Sequence, residues 1–110
     1  MYLAKALIRQ QLERDTRSAI ILTSSLGAHF AIPTVQGYCW TKAAVSNFFT
    51  ALSYEVSDKI DVLVWEPAVT RTKISEENKK ASTTPETAVK GVLRDIGSRR
   101  ITSGCFKHDF

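Results

Sequence analysis

The 110-residue chain has only two cysteines, Cys39 and Cys105, far apart and with no C-x-x-C pair. That excludes a disulfide framework and a cysteine-rich zinc site. It leaves two small thiols suited to burial or half-burial in a reducing compartment. No apolar run reaches eighteen residues, so no membrane-crossing helix is expected within the chain. The N-terminal MYLAKALIRQQLERD is interrupted by charge and reads as an amphipathic helix, not as a secretion signal. The five glycines, Gly27, Gly37, Gly91, Gly97 and Gly104, never gather into a G-x-G-x-x-G or G-x-x-x-G-x-G turn. The chain therefore shows no cradle of backbone amides for a pyrophosphate at a helix N-terminus. The two histidines, His29 and His108, have no cysteine or carboxylate at ligand spacing, and no metal site is expected.

What is present suits one soluble domain at most, with 44% apolar and 24% charged residues. The net charge is +4, but the positive residues are scattered, and only Lys79-Lys80 and Arg99-Arg100 form doublets. Neither doublet is interleaved with aromatics, so a nucleic-acid groove is not expected. Leu3, Ala4, Leu7, Ile8 and Leu12 fall on one helical stripe. Ala19 to Thr23 is a continuous, β-branched apolar run, the pattern of a strand covered on both faces. His29 to Gly37, with Pro33, reads as a loop. From Tyr38 to about Val56 helical spacing returns, with Ala44, Val45, Phe48, Phe49 and Leu52 on a wide apolar face. Ile60 to Trp65 is a second buried strand, ended by Glu66-Pro67. Strand, loop, helix and strand make a βαβ unit with parallel strands. The polar stretch from Pro67 to Thr83 reads as a mobile loop. A last helix begins at Thr84 as N-cap with Pro85 at its first position and ends near Gly97. Ile101 to Phe106 is expected to form a short strand.

The chemistry gathers at the start of the long helix. Tyr38 and Lys42 are four residues apart and share one face. A phenol ionises near pH 10 (about), too high for proton transfer at neutrality, and a neighbouring ammonium and the positive helix end both favour its anion. Ser25 follows a buried parallel strand, where α/β sheets usually build sites, and is placed to orient a carbonyl against Tyr38. Trp40, within the same turn, reads as packing, and Trp65 as part of the buried strand.

The run AIILTSS, Tyr38 thirteen residues after Ser25, Y-C-W-T-K-A and VLVWEPAVTRT resemble, in order and spacing, the serine strand, Y-x-x-x-K helix and P-G-x-V-x-T segment of the short-chain dehydrogenase/reductases. The resemblance implies an α/β fold, the C-terminal part of a Rossmann-like doubly wound parallel sheet, with residues 1–110 as the catalytic half and the cofactor-binding half outside it. It implies hydride transfer between NADPH or NADH and a carbonyl or alcohol. By carry-over Tyr38 is the proton donor, Lys42 lowers its pKa and binds the nicotinamide ribose, and Ser25 positions the substrate oxygen. Tyr38, Lys42, Pro67, Thr70 and Thr72 would contact the cofactor. Two positions depart from the family's pattern, Ala68 where it has Gly and Thr70 where it has Val or Ile. The family's relay asparagine would fall before Met1.

A narrower similarity runs through HFAIPTVQGYCWTKAAVSNFFTALSYE, EPAVTRTKI and TTPETAVKGVLRDIGSRRITSGCFKHD, which look like the very-long-chain 3-oxoacyl-CoA reductase and 17β-hydroxysteroid dehydrogenase-like branch. That branch implies a lipid-like carbonyl substrate, NADPH and, for a full-length form, the endoplasmic-reticulum membrane; the chain alone would be soluble and cytoplasmic. A second expectation stands beside the enzyme. Without a glycine turn the chain alone would bind NADPH poorly, and it would serve as a non-catalytic fragment, a dimerisation or interaction module acting through the 38–56 helix as a homodimer.

Overall fold

A computed structural model describes residues 2–68, 70 and 83–105. Thr72, Phe106 and His108 lie outside the described residues, as does most of the polar stretch read as a loop after Pro67. The order is helix α1 (Tyr2–Leu12), strand β1 (Ser18–Thr23), a 3₁₀ turn (Leu26–His29), helix α2 (Gln36–Glu55), strand β2 (Ile60–Trp65), helix α3 (Pro85–Asp95) and strand β3 (Ile101–Thr102). The strands form one sheet in the order β1-β2-β3. Both pairings are parallel, with Ser18 opposite Ile60, Thr23 opposite Trp65, and Val64 opposite Ile101. The chain is therefore an α/β structure built on the expected βαβ unit.

The apolar character of β2, broken only by Asp61, is explained by its central place. Ile60, Leu63 and Val64 are fully buried and Val62 nearly so. Burying a side chain of this kind is worth about 1.5–3 kcal/mol, so these four outweigh any exposed ion pair such as Arg9 with Glu13. Helix α2 packs on this strand through an unexpected stripe. Its most buried residues are Cys39, Ser46 and Ser53, seven apart. Small side chains there let the helix approach the sheet closely, while Phe48, Phe49 and Leu52 turn to its flank and remain half-exposed.

Three expectations need correction. Strand β1 is not covered on both faces, for its residues alternate between half-buried and exposed, and Ile21 is 41% exposed. Its run is apolar because it is a sheet strand, but it lies at the edge of the described sheet and one face has no cover there. Trp40 does not pack, being 73% exposed, because α2 turns Cys39 toward the sheet and the next residue outward. The loop expected from His29 starts only at Phe30, because His29 closes the 3₁₀ turn, and α2 begins at Gln36, two residues before Tyr38.

The last helix follows its sequence signals. Thr84 Oγ1 accepts from the Thr87 amide at 3.3 Å, Pro85 opens the helix, and Gly97 beyond its end has φ +79°. Trp65 Nε1 donates to the Ser103 carbonyl at 3.1 Å and ties β2 to the segment after β3. At the end of α3, Asp95 is 3% exposed and accepts from Arg94 Nε at 2.7 Å and Thr102 Oγ1 at 2.5 Å. A carboxylate at a helix C-terminus opposes the helix dipole. The Arg94 bond, against the cost of burial and helped by Thr102, nonetheless holds Asp95 below its ordinary carboxylate value. Asp61 is held low likewise, first by its hydrogen bonds from Arg17.

Because both folded-state values are depressed, the unfolded chain takes up these protons first as the pH falls. The stabilisation is complete above the ordinary carboxylate range and is lost as the pH drops toward the folded values. We expect the urea midpoint of the protein to fall on acidification below about pH 4, and Asp95→Asn to lower it at neutrality while making the remaining acid limb shallower. Urea titrations across that range check both, and an unchanged acid limb in Asp95→Asn would remove Asp95 from the account.

Candidate active site

Beyond both strands the parallel ladder continues for one more step. The Ser24 amide donates to the Trp65 carbonyl at 2.7 Å and the Leu26 amide to the Pro67 carbonyl at 3.1 Å. These alternate bonds fasten the chain on either side of Ser25 to the end of β2, so Ser25 is held just past the C-terminal end of β1. Its extended backbone, φ −161° and ψ 151°, makes it the N-cap of the 3₁₀ turn. Ser25 Oγ accepts the Gly27 amide at 3.1 Å. With one lone pair so engaged, the hydroxyl keeps its proton to donate elsewhere.

Tyr38 lies in the first turn of α2 and is 50% exposed. A Cβ placed on Gly27 would lie 3.4 Å from Ser25 Oγ and 3.5 Å from Tyr38 Cε1, so both side chains border the same spot. They also line one cleft of about 520 Å³, together with Leu26, Phe30, Ile32, Val35, Pro67 and Ala68. Lys42 stands one helical turn beyond Tyr38. Its Nζ is 5.8 Å from the Tyr38 ring centre and makes a long, 3.4 Å bond to the Thr23 carbonyl at the end of β1. The three residues singled out from the sequence are thus brought together at one end of the sheet. Thr70 Oγ1 bonds the Ala68 carbonyl at 3.3 Å, and Thr70 pairs with Thr83 in a short parallel bridge. Pro67 lines the cleft, while Thr72 is outside the described residues.

A nicotinamide cofactor, implied by the resemblance, finds a partial fit here. An ammonium carries three donors, and Lys42, one turn from Tyr38, spends one on the Thr23 carbonyl and keeps others suited to the hydroxyls of a ribose. The phosphate end has no such match. Among the described residues no strand-to-helix turn carries paired glycines, and α3 opens with a proline and an acidic residue, Glu86, which disfavour an anion. No cluster of three metal-binding side chains occurs among the described residues.

One group of residues was missed in the sequence. Glu66, directly after β2, is 3% exposed. Its Oε1 lies 2.6 Å from Ser46 Oγ and its Oε2 2.6 Å from His29 Nε2. Ser46 Oγ is 2.7 Å from Ser24 Oγ, which donates to the Lys42 carbonyl at 3.0 Å. His29, read as a lone loop histidine, is therefore the outer end of a buried polar chain. The available signal was a carboxylate placed immediately after an apolar strand and before Pro67, where burial is expected to continue.

A family model described as short chain dehydrogenase matches residues 1–83. Two curated relatives, both dehydrogenase/reductase SDR family member 7B, come from Xenopus tropicalis and Xenopus laevis. They are 32% and 30% identical to this chain over 113 residues. Each match covers 89% of the chain but only 36% and 35% of the relatives, so the chain spans little more than a third of their length.

Proposed function

This chain belongs to the short-chain dehydrogenase family, and from that premise we propose that it carries the reaction centre of a nicotinamide-dependent carbonyl reductase. The observation that supports this most is the shared cleft of Ser25 and Tyr38, with Lys42 one turn behind, at the C-terminal end of β1. A bound reduced nicotinamide supplies the hydride. The Ser25 hydroxyl donates to the carbonyl oxygen and fixes its position. The Tyr38 hydroxyl passes its proton to the same oxygen as negative charge develops there, and Lys42 holds the ribose and offsets the charge left on the phenol.

The substrate we propose is an apolar carbonyl compound. Leu26, Phe30, Ile32 and Val35 line the cleft beside the two hydroxyls, and such walls favour a hydrocarbon body over a charged one. The sequence similarity to the 3-oxoacyl-CoA reductase and steroid dehydrogenase branch carries the proposal further, to a ketoacyl or steroid-like ketone, NADPH and an endoplasmic-reticulum setting. No described helix is long and apolar enough to cross a membrane. A second copy of the chain is proposed to cover the open flank of α2, where Phe48 and Leu52 face Ile8 and Leu12 of α1 across an apolar cleft of about 600 Å³.

The complete natural protein carrying these residues is expected to consume NADPH only when a ketone is present, and to turn over a long-chain or polycyclic ketone faster than a small polar one. Following the reduced nicotinamide's absorbance with both substrate types tests this. Consumption that ignores the ketone, or a preference for small charged ketones, would overturn it.

A further inference from the structure

Glu66 is a buried carboxylate to which the reaction described above gives no part. A buried carboxylate is costly unless fully bonded, and its partners come from different segments. His29 belongs to the 3₁₀ turn that Ser25 caps, and Ser46 lies one turn beyond Lys42 on α2. Glu66 itself is anchored to β3, its amide donating to the Thr102 carbonyl at 2.8 Å. Through Ser46 the chain reaches Ser24, the residue before Ser25, and Ser24 bonds the carbonyl of Lys42 itself. One side chain thus ties both neighbours of the reaction site, the turn bearing Ser25 and the helical turn bearing Lys42, to the end of β2.

The network also has a choice built into it. Ser46 has a single hydroxyl proton for two acceptors, Glu66 Oε1 and Ser24 Oγ. The carboxylate takes that proton, and Ser24 then donates either to Ser46 or to the Lys42 carbonyl. The Ser46–Glu66 bond is kept in both arrangements, so the tie between α2 and the end of β2 stands while the Ser24 proton changes acceptor. The hydrogen bonds of Glu66, Ser46 and Ser24 among the described residues do not include the Tyr38 hydroxyl, so the part given to them is one of position.

We propose that Glu66, with Ser46 and His29, is a positioning residue that sets Ser25 against Tyr38 and Lys42. This rests on the carbonyl-reductase reading of that site. Small displacements of reacting groups cost up to about a hundredfold in rate, so the effect belongs on kcat and not on binding.

The test compares Glu66→Ala, Glu66→Gln and Ser46→Ala in the complete natural protein, with Tyr38→Phe alongside. Turnover is expressed per NADPH-binding site, counted by fluorescence titration. Glu66→Ala is expected to lower kcat per site about ten- to a hundredfold, with the NADPH Kd within about twofold of the parent. Glu66→Gln, which keeps the shape and an acceptor for Ser46, is expected to recover most of the loss. Ser46→Ala, which removes one oxygen and keeps the carboxylate's bond with His29, is expected to lower kcat several-fold and decides the matter if Glu66→Ala does not fold. A kcat per site unchanged in Ser46→Ala and in the folded Glu66 variants, while Tyr38→Phe is inactive, would overturn the positioning role and leave the carbonyl-reductase reading intact. A fully active Tyr38→Phe would overturn that reading instead.

Discussion

Tyr38→Phe in the complete natural protein is expected to lower turnover of its ketone by about a hundred- to ten-thousand-fold, the range contributed by a positioned general acid. The substitution removes one oxygen and keeps the ring. Half of Tyr38 is exposed and its ring borders Gly27 and the apolar wall of the cleft, so packing is conserved and the fold has no reason to change. Lys42 keeps its bond to the Thr23 carbonyl, and NADPH affinity should stay within a few-fold of the parent. The loss would therefore fall on kcat, the pattern of an interaction made in the transition state. Steady-state kinetics with a parallel NADPH titration separate the two quantities. A mutant with near-parental turnover would show that another group donates the proton.

Gly91→Ala is expected to destabilise the protein by about 3 kcal/mol or more, although the position is inside a helix. In a helix interior alanine is favoured over glycine by about 1 kcal/mol, which sets the sign an exposed site would give. At Gly91 the added Cβ would overlap the Gly104 carbonyl oxygen and lie 2.6 Å from its carbonyl carbon. Gly104 cannot readily retreat. Its φ is +75°, its amide donates to Thr102 Oγ1 at 3.1 Å, and its Cα faces the Ala88 carbonyl and the Trp65 indole. Backbone meets backbone, so no rotamer relieves the contact, and overpacking outweighs propensity. Urea unfolding of the pair gives the difference directly; a stability equal to or above the parent would mean that α3 and the segment after β3 are not packed as described.

Much of this arrangement was legible in the residue pattern because it rests on local rules. The run Val62 to Trp65 is apolar without alternation because both faces of β2 are covered there, and such a run reads directly as a buried strand. Thr84-Pro85 and Gly97 marked α3 because capping chemistry is written within a few residues. Tyr38 and Lys42 could be paired because four residues of helix set them on one face, and Ser25 joined them through its place after a strand and through the resemblance to the family's motifs. What stayed hidden depends on contacts far apart in sequence. Phe48 and Leu52 announce an apolar face on α2, yet the sheet takes the side of Cys39, Ser46 and Ser53, since close approach matters more there than side-chain size. His29 and Glu66 are thirty-seven residues apart, and no local period could pair them. The apolar run of β1 looked like that of β2, but burial depends on what lies over a strand, which its own sequence does not state.

The measurement that bears most directly on the proposed reaction follows the two hydrogens separately. The complete natural protein is given an apolar ketone and NADPH carrying deuterium at the transferable ring position, in ordinary water, and the alcohol is analysed by mass spectrometry and NMR. If Ser25, Tyr38 and Lys42 serve a carbonyl reductase, the deuterium appears on the carbinol carbon, one atom per turnover, while the hydroxyl hydrogen comes from solvent by way of Tyr38. Tyr38→Phe should slow this transfer without changing where the label goes. Alcohol formed without deuterium on that carbon, or label retained wholly in the cofactor while ketone is consumed, would contradict the account.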